Sequence, residues 1–179
     1  MNVLQAAPCI VCTSALAGAL ISEDLLYMYF AAGAIVLGSG VNYAVKGLCK
    51  AVAGNVELFK RPNPPQSGCG NFANCTAGGS TTFGFPSGHA QIVAFSAAFW
   101  SLYLQKYGKR KSTSVVSICI LWALVLLVCW SRIKIGCHNL IQVTAGTTIG
   151  AGLGVAYFKF LDRVYIRKPH LAIAERYSG

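Results

Sequence analysis

Residues 113–130 read TSVVSICILWALVLLVCW, an uncharged run that leads straight into Ser131-Arg132. As a helix rising 1.5 Å per residue it covers about 27 Å, close to the hydrocarbon thickness of a bilayer. Its apolar residues form a solid block, with neither the alternation of a half-buried strand nor the one-sided stripe of a soluble helix, so lipid is its natural solvent. Four further uncharged stretches lie at residues 3–21, 25–45, 90–105 and 140–158, and the shortest, 90–105, takes residues 87–89 as its first turn. The expected fold class is all-α: a polytopic membrane helical bundle of about five transmembrane helices, in a single domain over residues 1–179. The block at 3–21 has no basic start and is followed by Glu23-Asp24, so it is expected to be a mature span rather than a secretory signal.

Composition agrees. The chain is 55% hydrophobic and 11% charged, against about 25% charged in soluble domains, which excludes an ordinary soluble core. The net charge of +10 does not require nucleic acid. The basic residues stand between the apolar blocks, where bilayer topology and anionic head groups account for them. The partners implied are the lipid bilayer and a membrane lipid. A transporter is disfavoured because the spans carry no charges. Glycines at Gly33, Gly38 and Gly40, and at Gly146, Gly150, Gly152 and Gly154, have the spacing that lets helices approach closely.

Between the second and third spans, a helix is expected to continue to Phe59 and to be stopped by Pro62, Pro64 and Pro65. Residues 66–84 then form a loop rich in Gly, Ser, Thr and Asn with no periodicity, of a length that in a compact protein is usually either functional or disordered. Alternation of five spans puts residues 46–89 and 131–138 on one face, and residues 106–112 with the C-terminal tail on the other. Basic residues are more numerous on the second face, which the positive-inside rule makes cytoplasmic, leaving the motif face lumenal or extracellular. Asn74-Cys75-Thr76 reads as a glycosylation acceptor there. Of eight cysteines, Cys9, Cys12, Cys119 and Cys129 lie in apolar blocks and are expected to be inert. Cys69 and Cys75 bracket the polar loop and are expected to be close enough to bridge in an oxidising compartment.

Three clusters stand at helix boundaries on that face: Lys60-Arg61-Pro62, Pro86-Ser87-Gly88-His89, and Ser131-Arg132 with His138 after five intervening residues. Pro86 and Ser87 suit a helix start, and Gly88 lets backbone come close to a ligand. Free amides at a helix N-terminus attract phosphate. Arg61 and Arg132 can each hold two phosphate oxygens while staying charged. His89 and His138 are two of only three histidines, and such a pair can divide the labour of nucleophile and general acid–base. A capped helix, interfacial arginines and a head-group histidine are the plainer readings of each cluster taken singly. A metal site is not expected, since the face lacks the acidic residues or close histidine pairs a metal would need, and no cofactor is implied.

The order Arg-Pro, Pro-Ser-Gly-His, Ser-Arg-x5-His resembles the three-part signature of the type 2 phosphatidic acid phosphatase superfamily, relatives of vanadium haloperoxidases. The resemblance covers residues 54–142, about half the chain. It implies a metal-independent membrane lipid phosphatase acting on a phosphate or pyrophosphate, such as phosphatidic acid or a polyprenyl pyrophosphate, through a phosphohistidine. It implies His138 as nucleophile, His89 as general acid and base, and Arg61, Ser87, Gly88 and Arg132 as phosphate ligands. The family begins its first cluster with lysine seven residues before arginine, where this chain has Gly54. Lys50, Lys60 and Lys134 are the nearby substitutes. The family ends its third cluster with aspartate, where this chain has Gln142, whose amide oxygen can accept from His138 but brings no negative charge. Membrane members of the family commonly have six spans rather than five. The alternative is a catalytically weakened or inactive structural membrane protein that keeps the phosphatase fold.

Overall fold

The structure, a computed structural model, describes residues 4, 6–53, 55–62, 69 and 83–166. Among the described residues five helices carry the fold: α1 (Ala7–Ser22), α2 (Leu25–Ala53), α3 (Gly88–Tyr107), α4 (Lys111–Lys134) and α5 (Leu140–Ile166). Glu23 takes a left-handed φ of 55° between α1 and α2. Asp24 then caps α2, its carboxylate accepting from the Leu26 amide at 2.8 Å.

Helices α2, α4 and α5 are long and apolar enough to cross a membrane, and α1 is a shorter apolar helix. Large apolar side chains such as Leu126 and Ile120 on α4 lie on the outside, as expected of an integral membrane protein facing lipid. Helix α3 differs because it runs through the middle, touching α1, α2, α4 and α5. Thirteen of its twenty residues are buried, so its neighbours are protein rather than lipid and it can carry His89, Gln91 and Ser96.

The contact of α3 with α5 rests on glycine. A Cβ at Gly146 or Gly150 would overlap the carbonyl oxygen of Ser87 or Gln91, and Gly154 meets Phe95 in the same way. These three glycines, one turn apart, let the backbones touch. Gly152 faces open space and plays no part in that contact.

Helix α2 has a π-helical stretch at Ala34–Gly40, where the carbonyl pattern changes and becomes open to side chains. Gln91 uses it, donating to the Gly38 carbonyl at 2.9 Å, while Asn42 donates to Gln91 Oε1 at 2.9 Å and to the Pro86 carbonyl at 3.4 Å. This buried polar chain ties α2 to the start of α3, as polar side chains do across helices in lipid. At the opposite end, Asp162 accepts from Lys106 and Tyr107 and ties α5 to the end of α3.

Two boundaries differ from expectation. Helix α2 stops at Ala53 instead of reaching Phe59, and Glu57–Phe59 forms a separate 3-10 turn. Helix α4 runs through Lys134, so Ser131 and Arg132 occupy its last turn rather than a loop. The cause in α4 is a helix end closed by backbone bonding, with Ile135 donating to the Ser131 carbonyl, which carries the helix past the apolar block.

Candidate active site

Lys60 and Phe83 form an isolated antiparallel bridge, and Gly84 donates to the Phe59 carbonyl at 2.8 Å. This pairing brings the Arg61 segment against the start of α3. From the other side, the Cys137 and His138 amides both donate to the Arg132 carbonyl, at 3.1 and 3.2 Å, folding the α4–α5 turn back over the end of α4. The Ser87 amide donates to the Gln142 carbonyl at 3.0 Å, joining the head of α3 to the first turn of α5. Arg61, Ser87, Gly88, His89, Arg132, His138 and Gln142 therefore gather at one end of the bundle.

Gln142 orients the centre of this group. Its Nε2 donates to the carbonyls of Leu58 at 3.0 Å and Lys60 at 2.8 Å. The reverse amide orientation would set an oxygen against two carbonyl oxygens, so Oε1 is the atom that faces His138 Nδ1, at 3.0 Å. That oxygen can only accept, and the proton of the neutral ring consequently sits on Nδ1. Nε2 keeps its lone pair and lies 3.2 Å from Arg61 Nη1. The ring is buried, and burial, followed by the positive charges of Arg61 and Lys46, pushes its pKa well below 6.5, so it stays neutral at physiological pH. Room for the glutamine depends on Gly84, where a Cβ would overlap Gln142 Oε1.

The Arg61 guanidinium also donates through Nη1 to the Cys137 carbonyl at 2.8 Å and through Nη2 to the Cys69 carbonyl at 3.3 Å. Burial pushes its pKa down to about 10, which leaves it cationic at neutral pH. Arg132 is buried and donates through Nε to Ser131 Oγ at 3.3 Å. Ser87 opens α3 without capping it: among the described residues its buried Oγ finds no hydrogen-bond partner. His89 is buried on the first turn of α3. Together these groups form a cationic, donor-rich cradle around an unprotonated imidazole nitrogen, suited to a phosphoryl group.

Several expectations are corrected. Cys69 pairs with Cys137 across a Cα separation of 5.5 Å, so it is not available to Cys75. Arg61 stands beside both half-cystines, donating to the carbonyls of Cys69 and Cys137. Cys75, Asn74 and Gly54 lie outside the described residues. Cys9 is disulfide-bonded rather than an inert thiol, whereas Cys12, Cys119 and Cys129 are free. Lys60 does not turn its ammonium to the site, since it pairs with Glu57 at 2.6 Å and contributes its carbonyl instead. Lys134 lies over the Trp130 ring, 4.6 Å from its centroid, and Lys50 is exposed.

The cation that the sequence reading overlooked is Lys46. It stands one helical turn beyond Asn42, on the face that meets Pro86, and its charge acts on both Arg61 and His138. Only the pitch of α2 could have pointed to it, because it lies fifteen residues before Arg61.

A family profile described as PAP2 superfamily matches residues 24–166. The chain is 36% identical over 105 residues to a dolichyldiphosphatase of Saccharomyces cerevisiae, covering 56% of this chain and 42% of that protein. It is 31% identical over 93 residues to dolichyldiphosphatase 1 of Dictyostelium discoideum, covering 50% and 40%. Against lipid phosphate phosphatase gamma of Arabidopsis thaliana it is 31% identical over 86 residues, covering 45% and 37%. The matched stretches thus take in about two fifths of each relative. No solved structure matches the chain. With the profile extending over α2 to α5 and every described element of the cradle, the chain belongs to the PAP2 superfamily.

Proposed function

We propose that the protein is a metal-independent membrane lipid phosphatase that hydrolyses a lipid phosphate or pyrophosphate through a phosphohistidine on His138. The observation that carries this reading is the fixed tautomer of His138, with Nδ1 held by Gln142 and the Nε2 lone pair turned to Arg61. The relatives named as dolichyldiphosphatases and lipid phosphate phosphatase support the substrate class.

In this mechanism Arg61, Arg132, the Ser87 hydroxyl and the Gly88 backbone hold the phosphoryl oxygens. The Nε2 lone pair attacks phosphorus while the bond to the leaving oxygen breaks, and His89 supplies that oxygen with a proton. His89 then takes a proton from water, whose oxygen attacks phosphorus and breaks the P–N bond, releasing phosphate and restoring His138. Gln142 holds the ring but lends no negative charge to the cationic phosphohistidine, so Arg61 and Arg132 must act mainly through the phosphoryl oxygens.

The motif end faces the lumen or exterior. The Cys69–Cys137 bridge at that end suits an oxidising compartment, and Lys106, Lys109, Arg110 and Lys111 at the opposite end suit the cytoplasm.

The test is phosphate release from a panel of lipid phosphates and polyprenyl diphosphates by purified protein in detergent with chelator present. Release from the wild type, its loss in His138→Ala and acid-labile phosphate trapped on the wild type alone are expected. Release that survives His138→Ala overturns the assignment of the nucleophile. The neutral Gln142 favours a second reading, an inactive structural descendant, which requires no release from the wild type.

A further inference from the structure

One peptide unit at the head of α3 is gripped from two helices at once. The carbonyl of Pro86 accepts from Asn42 Nδ2 on α2 at 3.4 Å, and the Ser87 amide of the same peptide donates to the Gln142 carbonyl on α5 at 3.0 Å. The Ser87 carbonyl in turn accepts from the Gln91 amide at 3.1 Å, which closes the first turn of α3 over Gly88 and His89. The plane of the Pro86–Ser87 peptide sets the direction in which the chain enters α3, and with it the place of the Ser87 Cβ. Ser87 has no anchor of its own, since among the described residues its buried Oγ finds no hydrogen-bond partner.

The donor on Asn42 is itself fixed. Gln91 Nε2 donates to the Gly38 carbonyl at 2.9 Å, so Gln91 Oε1 is the atom turned to Asn42, and Asn42 Nδ2 meets it at 2.9 Å. Asn42 thus offers its amide group to two acceptors, Gln91 Oε1 and the Pro86 carbonyl, and the reverse orientation would set oxygen against oxygen at both. Gly38 lies in the π-helical stretch of α2, and a Cβ there would come within 3.2 Å of Ile92 Cγ1, so the missing side chain helps bring its carbonyl within reach of α3. Asn42 and Gln91 are both fully buried. A pair of apolar side chains would join the helices about as well, because the desolvation of two buried amides offsets most of what their hydrogen bonds return. What only a donor at position 42 can do is hold the Pro86 carbonyl. The same contact anchors the turn of α2 that precedes Lys46, which lies four residues on and on the same face.

We infer that Asn42, oriented by Gln91, is a positioning residue for the reaction: it holds the Pro86–Ser87 peptide so that the Ser87 hydroxyl and the Gly88 amide meet the phosphoryl group. The inference rests on the phosphatase reading for the ligand, and it adds a residue that lies outside the three clusters and touches no reacting atom.

The test uses the full chain purified in detergent and two readouts. Inorganic phosphate is titrated against the melting temperature, which gives its dissociation constant without turnover, and kcat and KM are measured on a lipid phosphate. Asn42→Leu is expected to weaken phosphate binding about tenfold and to lower kcat/KM about 100-fold, chiefly through kcat, as a misplaced binding group does. Gln91→Met, which leaves the Asn42 donor in place but unoriented, is expected to lose less of both, and it stands in should Asn42→Leu fail to fold. Ser101→Ala removes a hydrogen bond to Trp122 further along α3 and is expected to keep the phosphate constant and the turnover of the wild type. A lower melting temperature with an unchanged phosphate constant and unchanged kcat in folded Asn42→Leu, or in Gln91→Met where that variant alone folds, overturns the inference, because the two amides would then only join helices. An equal loss in Ser101→Ala overturns it as well. Phosphate that leaves the wild-type melting temperature unmoved sinks the phosphatase reading itself, and the positioning role with it, so the wild type alone tells the two failures apart.

Discussion

His138 and Gln142 are joined by a 3.0 Å hydrogen bond whose polarity is set elsewhere, by the two carbonyls of Leu58 and Lys60 that take the glutamine's amide protons. An aspartate at 142 would bring the missing charge but would leave those carbonyls without their donor. Gln142→Asp is therefore expected to lose about 1–3 kcal/mol of stability, the cost of buried groups left unsatisfied. Gln142→Leu, which frees the tautomer as well, is expected to lower kcat by about 10²–10⁴, by analogy with loss of tautomer control in the serine-protease triad. Thermal unfolding and single-turnover phosphate release measure the two effects separately.

The depressed pKa of His138 makes stability depend on pH in a definite direction. Below 6.5 the unfolded chain binds a proton that the folded site resists, so the unfolded state holds more protons and stability falls as pH falls toward the folded pKa. Above 6.5 the contribution is fully present. The melting temperature in detergent is expected to drop on acidification below about 6.5, and His138→Gln is expected to flatten that drop. A melting curve of His138→Gln with the same acid slope as wild type would contradict the assignment.

The Cys69–Cys137 bridge is part of the clamp as well as a crosslink, since Arg61 donates to the carbonyls of both half-cystines. Cys137→Ser is expected to cost about 2–4 kcal/mol and to raise KM as the guanidinium loses its fixed direction. Melting temperature and KM, measured with and without a reductant, test this. Because both cysteines are buried, reduction of the wild type should be slow until the protein is partly unfolded.

Lys46 acts on Arg61 and His138 although it lies on another helix. Lys46→Met is expected to lower kcat/KM about 10–100-fold, the loss of one charged contact to a phosphoryl group at about 1.4 kcal/mol per factor of ten. It should also shift the acid limb of the pH profile upward, because His138 loses a positive neighbour. Lys50→Met, at an exposed position one turn on, should leave both unchanged.

Much of this protein was legible in the order of its residues. An uncharged run such as 113–130 has one stable solution in lipid, a helix, because every backbone polar group must be bonded within the segment. The glycines at 146, 150 and 154 mark the tight face of α5 for a similar reason, since only a missing Cβ allows backbone contact. The three clusters likewise carry their chemistry in their residue types: guanidinium for phosphate, imidazole for proton and phosphoryl transfer. What the order could not supply was long-range pairing. Cys69 lies six residues from Cys75 and sixty-eight from Cys137, yet it joins Cys137, where the Arg61 guanidinium meets the carbonyls of both half-cystines. Lys46 enters the cradle, and Lys60 leaves it for Glu57, through helix direction and a local ion pair. Proximity in sequence governs local bonding, whereas the charge around His138 depends on which helices pack together, and that was decided only when α2, α3 and α5 closed on one another.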